Sequence, residues 1–258
     1  MFTHRLVFPA SVLRGRGAIK HLGAMCGRLG QRALLVGGKR AIASVEEKVA
    51  DQLEQQMVSY LGNEIFSGVC CQEEIIRLAD VFRTQGVEVI IATGGGKALD
   101  TAKAAGVACN IPEVTLPSIA GTCSAVTSLA FRYHQDGEFR DMMPLTCGPA
   151  AAGIDADLLA TAPLQWLSAG IGDTLAKWYE YRAISDLSQF TGLAGVARTN
   201  SELCYTLIEH FAADACHAVH NGKANNALEQ VLDAIFLYAR LTSIMSNGAH
   251  TAASHALY

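Results

Sequence analysis

Residues 91–104 read IATGGGKALDTAKA, and this stretch decides the fold. The apolar run Val87–Ala92 is typical of a buried strand, because it is rich in β-branched residues and bounded by glycines. Gly94–Gly96 then lack any Cβ, so the backbone can approach a ligand closely. Helical spacing from Leu99 onward places a helix N-terminus directly after the glycines, where unpaired N–H groups and the helix dipole favour an anion.

A tight turn without a ligand is the simpler explanation for neighbouring glycines. Three glycines followed by Lys97 favour a phosphate-binding turn instead. A Walker loop is excluded, because Lys97 precedes Ala98 and not a serine or threonine.

Composition sets the broad class of the protein. The 258 residues are 50% apolar and 17% charged, which indicates a sizeable core and no disorder. A net charge of −4 leaves no basic footprint for nucleic acid, and the longest apolar runs are too short to span a bilayer. Eight cysteines without a Cys-x-x-Cys pair favour reduced thiols, so we expect a cytoplasmic protein.

Strand and helix patterns alternate between residues 33 and 117, after an edge strand expected at 5–8 and a helix at 15–29. Such alternation predicts a parallel sheet covered by helices, with ligands beyond the carboxyl ends of its strands. From about residue 160 the pattern is helical. The predicted domains are therefore an α/β domain over residues 1–162 and an α-helical domain over residues 163–258.

The turn after the first buried strand bears on the cofactor. Folds that bind NAD commonly place an acidic residue there to hold the ribose 2′-hydroxyl, but this chain has Gly37 and Gly38, followed by Lys39 and Arg40. The missing carboxylate and the two cations favour NADP(H) over NAD(H). Two solvated side chains at a helix start would explain Lys39 and Arg40 equally well.

Two further segments carry polar chemistry. The segment 117–127 contains small and hydroxyl residues, including Gly121, that suit hydrogen bonding to a cofactor. Asp173, within an apolar helical stretch, is either a helix cap after Gly172 or a metal ligand. One aspartate with two of the histidines of the C-terminal part would make a legitimate metal shell.

Four stretches, GGGKALDTAKA, PSIAGTCSAVTSLAFRY, AGIGDTLAKWYE and AASHALY, resemble the iron-containing alcohol dehydrogenase superfamily in its glycerol dehydrogenase-like branch. The resemblance implies a dinucleotide-binding α/β domain, an all-α domain of the dehydroquinate synthase-like fold, and zinc or iron held by one aspartate and two histidines. It implies cofactor contacts for Gly96, Lys97, Asp100, Ser118, Thr127, Leu129 and Tyr133. The turns described above add Gly38, Lys39, Gly94, Gly95 and Gly121.

The same resemblance implies that Asp173 and His255 bind the metal. His217 and His220 imitate the histidine motif, but they lie too close to Asp173 in the chain, so we interpret them as surface residues. The resemblance aligns Cys123 with a substrate-binding aspartate of glycerol dehydrogenases. The loop around Cys123 instead looks like that of the hydroxycarboxylate dehydrogenases of the same branch, which reduce 2-oxo acids. The sequence ends at Tyr258 before the family pattern does, so the third metal ligand is not assigned and the helical domain is expected to be incomplete.

The sequence thus predicts metal-dependent hydride transfer between NAD(P)H and a small carbonyl or alcohol, with a 2-oxo acid and its 2-hydroxy acid favoured. Four alternatives stay open: a glycerol dehydrogenase, a lyase similar to dehydroquinate synthase, an inactive truncated fragment that keeps nucleotide binding, and a turn without a ligand. We expect no nucleic-acid or membrane partner, and association into a homo-oligomer is left open.

Overall fold

The computed structural model describes residues 6–184 and 192–246, which fall into two compact units. The α/β unit consists of Phe8–Ser118 and Ser124–Leu159. The helical unit consists of Ile119–Cys123 and the described residues from Ala160 onward, together with residues 6 and 7. The domain boundary expected at residues 162 and 163 stays a prediction.

The α/β unit contains a six-stranded parallel sheet, as the alternating pattern predicts. The strand order is β1-β8-β5-β4-β2-β3. The strands are β1 (Val12–Gly15), β2 (Arg32–Gly37), β3 (Ser59–Ile65), β4 (Val89–Gly94), β5 (Glu113–Pro117) and β8 (Ala151–Asp155). Because all six run in one direction, their carboxyl ends share one edge of the sheet.

Helices of the α/β unit carry buried apolar residues. They are α1 (Leu22–Gly27), α2 (Lys39–Glu54), α3 (Gln72–Gln85), α4 (Gly96–Cys109) and the short α5 (Ala156–Ala160). Ile42, Val45, Val49 and Leu53 recur at helical spacing on α2 and pack in one core with sheet residues such as Leu35. Helix α4 is buried over most of its length, including its polar residues.

Two predicted elements near the N-terminus are wrong. The described residues before Pro9 form no strand, and the edge strand is Val12–Gly15 instead. The helix expected over 15–29 is a 3₁₀ turn, Ala18–His21, followed by the short α1. Gly15 and Gly17 have φ of +113° and +70°, and this left-handed backbone delays the start of the helix.

The strands after residue 117 were not foreseen. β6 (Leu129–Tyr133) and β7 (Phe139–Pro144) form an antiparallel hairpin outside the main sheet. β8 then returns to the main sheet between β1 and β5. Asp155 ends β8 and is buried, where its carboxylate accepts from the N–H groups of Ile19 at 2.8 Å and Leu158 at 3.0 Å.

The helical unit contains α6 (Leu164–Ile184), α7 (Gly192–His220), α8 (Asn226–Leu232) and α9 (Ala239–Met245). A π-helical segment, Asp233–Tyr238, joins α8 to α9. Such widened turns release backbone carbonyl groups from the helical pattern. Asn200 from α7 donates to the Tyr238 carbonyl and, at 2.8 Å, to Thr242 Oγ1. No helix in the described ranges is long and apolar enough to cross a membrane.

Gly170 allows the segment Ile119–Cys123 to pack on α6. A Cβ at Gly170 would lie 2.0 Å from the Ala120 carbonyl oxygen, whereas a Cβ at Gly172 would meet no atom within 4 Å. Backbone of the Ile119–Cys123 segment therefore occupies the space of the missing side chain at Gly170.

We expect Gly170→Ala to lower the free energy of unfolding by about 2 kcal/mol, because backbone must move to accept the methyl group. Gly172→Ala is the matched control in the same helix, and its better helix propensity should leave stability equal or raise it by up to ~1 kcal/mol. Urea unfolding followed by tryptophan fluorescence measures both, since Trp166 and Trp178 lie on α6. Equal stabilities of the two variants would contradict the packing.

Candidate functional site

Three turns meet at the carboxyl edge of the sheet. In the β2–β4 and β4–β5 registers, Gly37 lies opposite Thr93 and Gly94 lies opposite Pro117. The Ser118 N–H donates to the Gly94 carbonyl at 3.2 Å, and a Cβ on Gly94 would lie 3.9 Å from the Gly38 nitrogen. The structure therefore brings together three predicted cofactor positions, Gly38, Gly94 and Ser118.

The glycines at this edge serve different purposes. A Cβ on Gly37 would lie 2.3 Å from the Thr93 carbonyl oxygen, so strand packing requires that glycine. Gly94 has a φ of +139°, and its Cβ would lie 2.9 Å from that of Ala98. Gly38 has an ordinary φ of −70°, and its Cβ would meet no atom within 4 Å. Open space thus adjoins Gly38, as a cradle for a bound molecule requires.

Two helices begin at this edge. Gly38 and Gly95 are the N-caps of α2 and α4, and neither has a side chain with which to cap the first N–H groups. Lys97 in the first turn of α4 is exposed, and its Nζ lies 4.2 Å from the centre of the Tyr133 ring. Backbone donors, helix dipoles and one cation suit an anion of phosphate type.

Three other predicted cofactor residues make internal contacts. Asp100 is 4% exposed, and its carboxylate accepts from Ser124 Oγ at 2.6 Å and from the Phe131 N–H at 3.0 Å. Thr127 Oγ1 and the Leu129 carbonyl each accept from Lys103 Nζ at 2.8 Å. These contacts order the chain between α4 and the hairpin, and cofactor contact by Asp100, Thr127 and Leu129 stays a prediction.

Lys103 is a residue that the sequence reasoning missed. It is 2% exposed, and its ammonium group lies 2.8 Å from Asp100 Oδ1. The sequence did contain a signal for this ion pair. Lys103 follows Asp100 by three residues, and its neighbours Ala102, Ala104 and Ala105 are all small. A buried lysine needs a charged partner, and this spacing provides one.

Glu113, at the start of β5, belongs to the same buried polar cluster. It is 5% exposed, and its Oε1 has no hydrogen-bond partner among the described residues. Burial raises the pKa of Glu113 well above its usual value, and Asp100 raises it further, while the nearby Lys103 ammonium opposes the shift. Burial therefore favours the protonated form of Glu113.

The helical unit carries Asp173 and Cys123, the predicted metal and substrate residues within the described ranges. Asp173 lies on α6, where the buried Lys177 donates to its carboxylate and, at 3.3 Å, to its carbonyl. Burial lowers the pKa of Lys177, but the Asp173 carboxylate raises it to a net value above the ordinary one. Cys123 is half-buried, within electrostatic range of Lys177 and of the buried Arg240. Gly121 lies beside Trp166.

The described residues supply only part of the expected metal shell. His255 lies outside them, and within them no group of three His, Cys, Asp or Glu side chains is placed to hold a metal. His217 and His220 are exposed in the last turn of α7, which agrees with their interpretation as surface residues. Within the described residues, Asp173 alone does not make a metal site.

Comparisons with known proteins bear on the whole chain. A family model described as iron-containing alcohol dehydrogenase matches residues 9–156. Glycerol dehydrogenase of Thermotoga maritima is 31% identical over 257 residues, covering 98% of this chain and 69% of that protein. Hydroxycarboxylate dehydrogenase A of Escherichia coli is 28% identical over 256 residues, covering 98% of this chain and 70% of that protein. The crystal structure of a probable glycerol dehydrogenase from Sinorhizobium meliloti matches with a TM-score of 0.81 at 27% identity, covering 93% of this chain and 67% of that one.

These comparisons confirm both the family resemblance and the predicted fold class. They do not test the individual site residues, which stay predictions. The relatives named are dehydrogenases, which agrees with the expected oxidoreductase chemistry.

The raised pKa of Glu113 gives stability a defined dependence on pH. The folded chain binds this proton more tightly than the unfolded chain, whose glutamate has a pKa of about 4.3. The proton's contribution is fully present below that value and is lost as pH rises toward the folded pKa. Glu113→Gln removes this loss, so the Tm of the variant minus that of the wild type should increase as pH rises above about 4.3.

Thermal unfolding followed by circular dichroism at several pH values measures this difference. Glu47→Gln, at an exposed position on α2, is the control substitution. A Tm difference for Glu113→Gln that stays constant with pH would show that Glu113 is ionised in the folded chain.

Proposed function

We propose that this chain, which belongs to the iron-containing alcohol dehydrogenase family, transfers hydride between a nicotinamide dinucleotide and a small carbonyl compound. The observation that carries the proposal is the meeting of Gly38, Gly94 and Ser118 at one edge of the parallel sheet. Ligands bind at such edges in α/β folds, and the helix N-termini of α2 and α4 suit phosphate groups.

The chain's own groups would hold the dinucleotide in the following way. The first-turn N–H groups of α4 and the Lys97 ammonium would bind the pyrophosphate, and the space beside Gly38 would receive the adenosine ribose. The packing of Lys97 on Tyr133 limits the positions open to that ammonium group. The bound nicotinamide supplies the hydride chemistry, and the protein supplies its position and surroundings.

A 2-oxo acid is the favoured substrate. Cys123 replaces the carboxylate expected of a glycerol dehydrogenase, and this thiol lies in the electrostatic reach of two buried cations, Lys177 and Arg240. The absence of a carboxylate at this position removes repulsion against an anionic substrate, which favours such a substrate over an uncharged polyol. Glycerol is the second candidate, because the Thermotoga maritima relative at 31% identity is a glycerol dehydrogenase.

A divalent metal, zinc or iron, is part of the proposal, with Asp173 and His255 as ligands. Asp173 offers a carboxylate oxygen, a ligand that both metals accept, and it is partly exposed on α6. Metal content of the purified chain and of Asp173→Ala, measured by mass spectrometry, tests this assignment separately from turnover.

We expect the chain, supplied with Zn²⁺ or Fe²⁺, to oxidise NADPH faster with 2-oxobutyrate than it reduces NADP⁺ with glycerol. Asp173→Ala should lower kcat/KM by more than about a hundredfold. Asp80→Ala, at an exposed position on α3, is the matched control and should retain activity. Dinucleotide binding without turnover of either substrate would favour the inactive-fragment alternative.

NADP(H) is proposed over NAD(H). No acidic side chain follows β2, and Lys39 and Arg40 are both exposed at the start of α2 beside Gly38. Two cations at a helix N-terminus would attract the 2′-phosphate of NADPH, and nothing at Gly37 or Gly38 would repel it.

Gly38→Asp should reverse this preference. An aspartate fits sterically, because a Cβ at Gly38 meets no atom within 4 Å and the φ of −70° is ordinary. Repulsion between its carboxylate and the 2′-phosphate should raise the Kd for NADPH about tenfold, while NADH binding is kept or strengthened. Gly38→Asn is the control of equal size without charge. Calorimetric Kd values for both cofactors decide the matter, and tighter binding of NADH by the wild type would contradict the proposal.

A further inference from the structure

We propose that Lys103 is a positioning residue of the dinucleotide site, whose ammonium group fixes the segment Ser124–Leu129 against α4. The inference rests on the proposed function, because this segment carries two of the predicted cofactor contacts, Thr127 and Leu129. Lys103 itself is too deeply buried to touch a ligand, since only 2% of it is exposed.

The contacts of the Lys103 ammonium group are unusually many. Its Nζ donates to the carbonyl oxygens of Ser124 at 2.9 Å, Thr127 at 3.2 Å and Leu129 at 2.8 Å. Thr127 Oγ1 at 2.8 Å and Asp100 Oδ1 at 2.8 Å complete the set. An ammonium group has three N–H donors, so these five acceptors share them and enclose the cation.

Asp100 holds the same segment from the other side of the pair. Its carboxylate accepts from Ser124 Oγ at one end of the segment and from the Phe131 N–H just beyond the other end. The ion pair between Asp100 and Lys103 therefore satisfies each partner's charge and ties both ends of the segment to one helix.

Helix α4 connects this anchor to the cradle. Lys97 lies in its first turn, beside the glycines, and Lys103 lies six residues further along the same rigid helix. The segment held by Lys103 leads directly into β6, which carries Tyr133, and the Tyr133 ring contacts the Lys97 ammonium. A displacement of the segment would therefore change both its own main-chain groups and the ring beneath Lys97.

A purely structural role for Lys103 makes a different prediction. If Lys103 only balances the buried charge of Asp100, its loss lowers stability but leaves the folded chain's affinity for dinucleotide unchanged. A positioning role requires that the affinity itself falls in protein that is still folded. The Kd of the folded variant for the dinucleotide therefore distinguishes the two roles.

The test compares Lys103→Met, which keeps much of the side-chain volume without the charge, with the wild type. NADPH binding is measured by calorimetry at a temperature well below the Tm of the variant, and we expect the Kd to rise about tenfold or more. Amide hydrogen exchange at Thr127 and Phe131 should accelerate, while exchange in α3 stays as in the wild type. Lys48→Met, at an exposed position on α2, is the control and should match the wild type in both measurements.

Lys103→Gln is measured in parallel, because it keeps two N–H donors and is the milder change for folding. It should give a smaller rise in the Kd than Lys103→Met. An unchanged Kd in whichever variant folds would overturn the positioning role while leaving the proposed function intact. Failure of the wild-type chain to bind either NADPH or NADH would overturn both.

Discussion

The parallel register of β2, β4 and β5 is the constraint on which the candidate site depends. Parallel strands place their carboxyl ends at one edge, so the turns after Gly37, Gly94 and Pro117 must meet there. Close strand packing then requires glycine at Gly37, where the neighbouring carbonyl occupies the space of a Cβ. The helices that leave this edge direct their unpaired N–H groups toward it, and the backbone supplies most of the anion-binding chemistry before any side chain contributes.

A second constraint is electrostatic and concerns the charged residues buried in and beside α4. Helix α4 is buried, yet it carries both Asp100 and Lys103, and Glu113 lies in the same cluster on β5. Unpaired charges at this depth would be too costly, so the aspartate and the lysine pair with each other, and burial favours the protonated form of Glu113. Besides pairing with each other, Asp100 and Lys103 form hydrogen bonds to the chain between β5 and β6. The cost of burying the charges is thereby offset by a segment held in one conformation, next to the edge where the cofactor is proposed to bind.

The chain between β5 and β6 belongs partly to the helical unit and partly to the α/β unit. Ile119–Cys123 packs within the helical unit, where the Ala120 carbonyl rests on Gly170 of α6. Ser124 onward packs within the α/β unit on the Asp100–Lys103 pair. Cys123, the predicted substrate contact, is therefore the last residue on the helical side and shares its surroundings with Lys177 and Arg240. In the same unit, the Asp173 carboxylate accepts from Lys177, so the proposed metal ligand has a protein partner of its own.

The sequence by itself determined the alternating sheet, the glycine turn after β4, the helix α2 from Lys39 to Glu54 and the family, because periodicity, glycine placement and long motifs are local properties of the chain. Sequence reasoning missed the hairpin β6–β7 and placed the N-terminal strand and helix wrongly, since left-handed glycines and strand pairing override local propensity. Only the tertiary structure decided what Asp100, Thr127 and Lys103 do. Asp100 and Lys103 lie only three residues apart, but the partners that tie them to the chain between β5 and β6 lie 21 to 31 residues away in sequence. A buried cation and a buried carboxylate need compensation, and only the fold brings these acceptors and donors within reach.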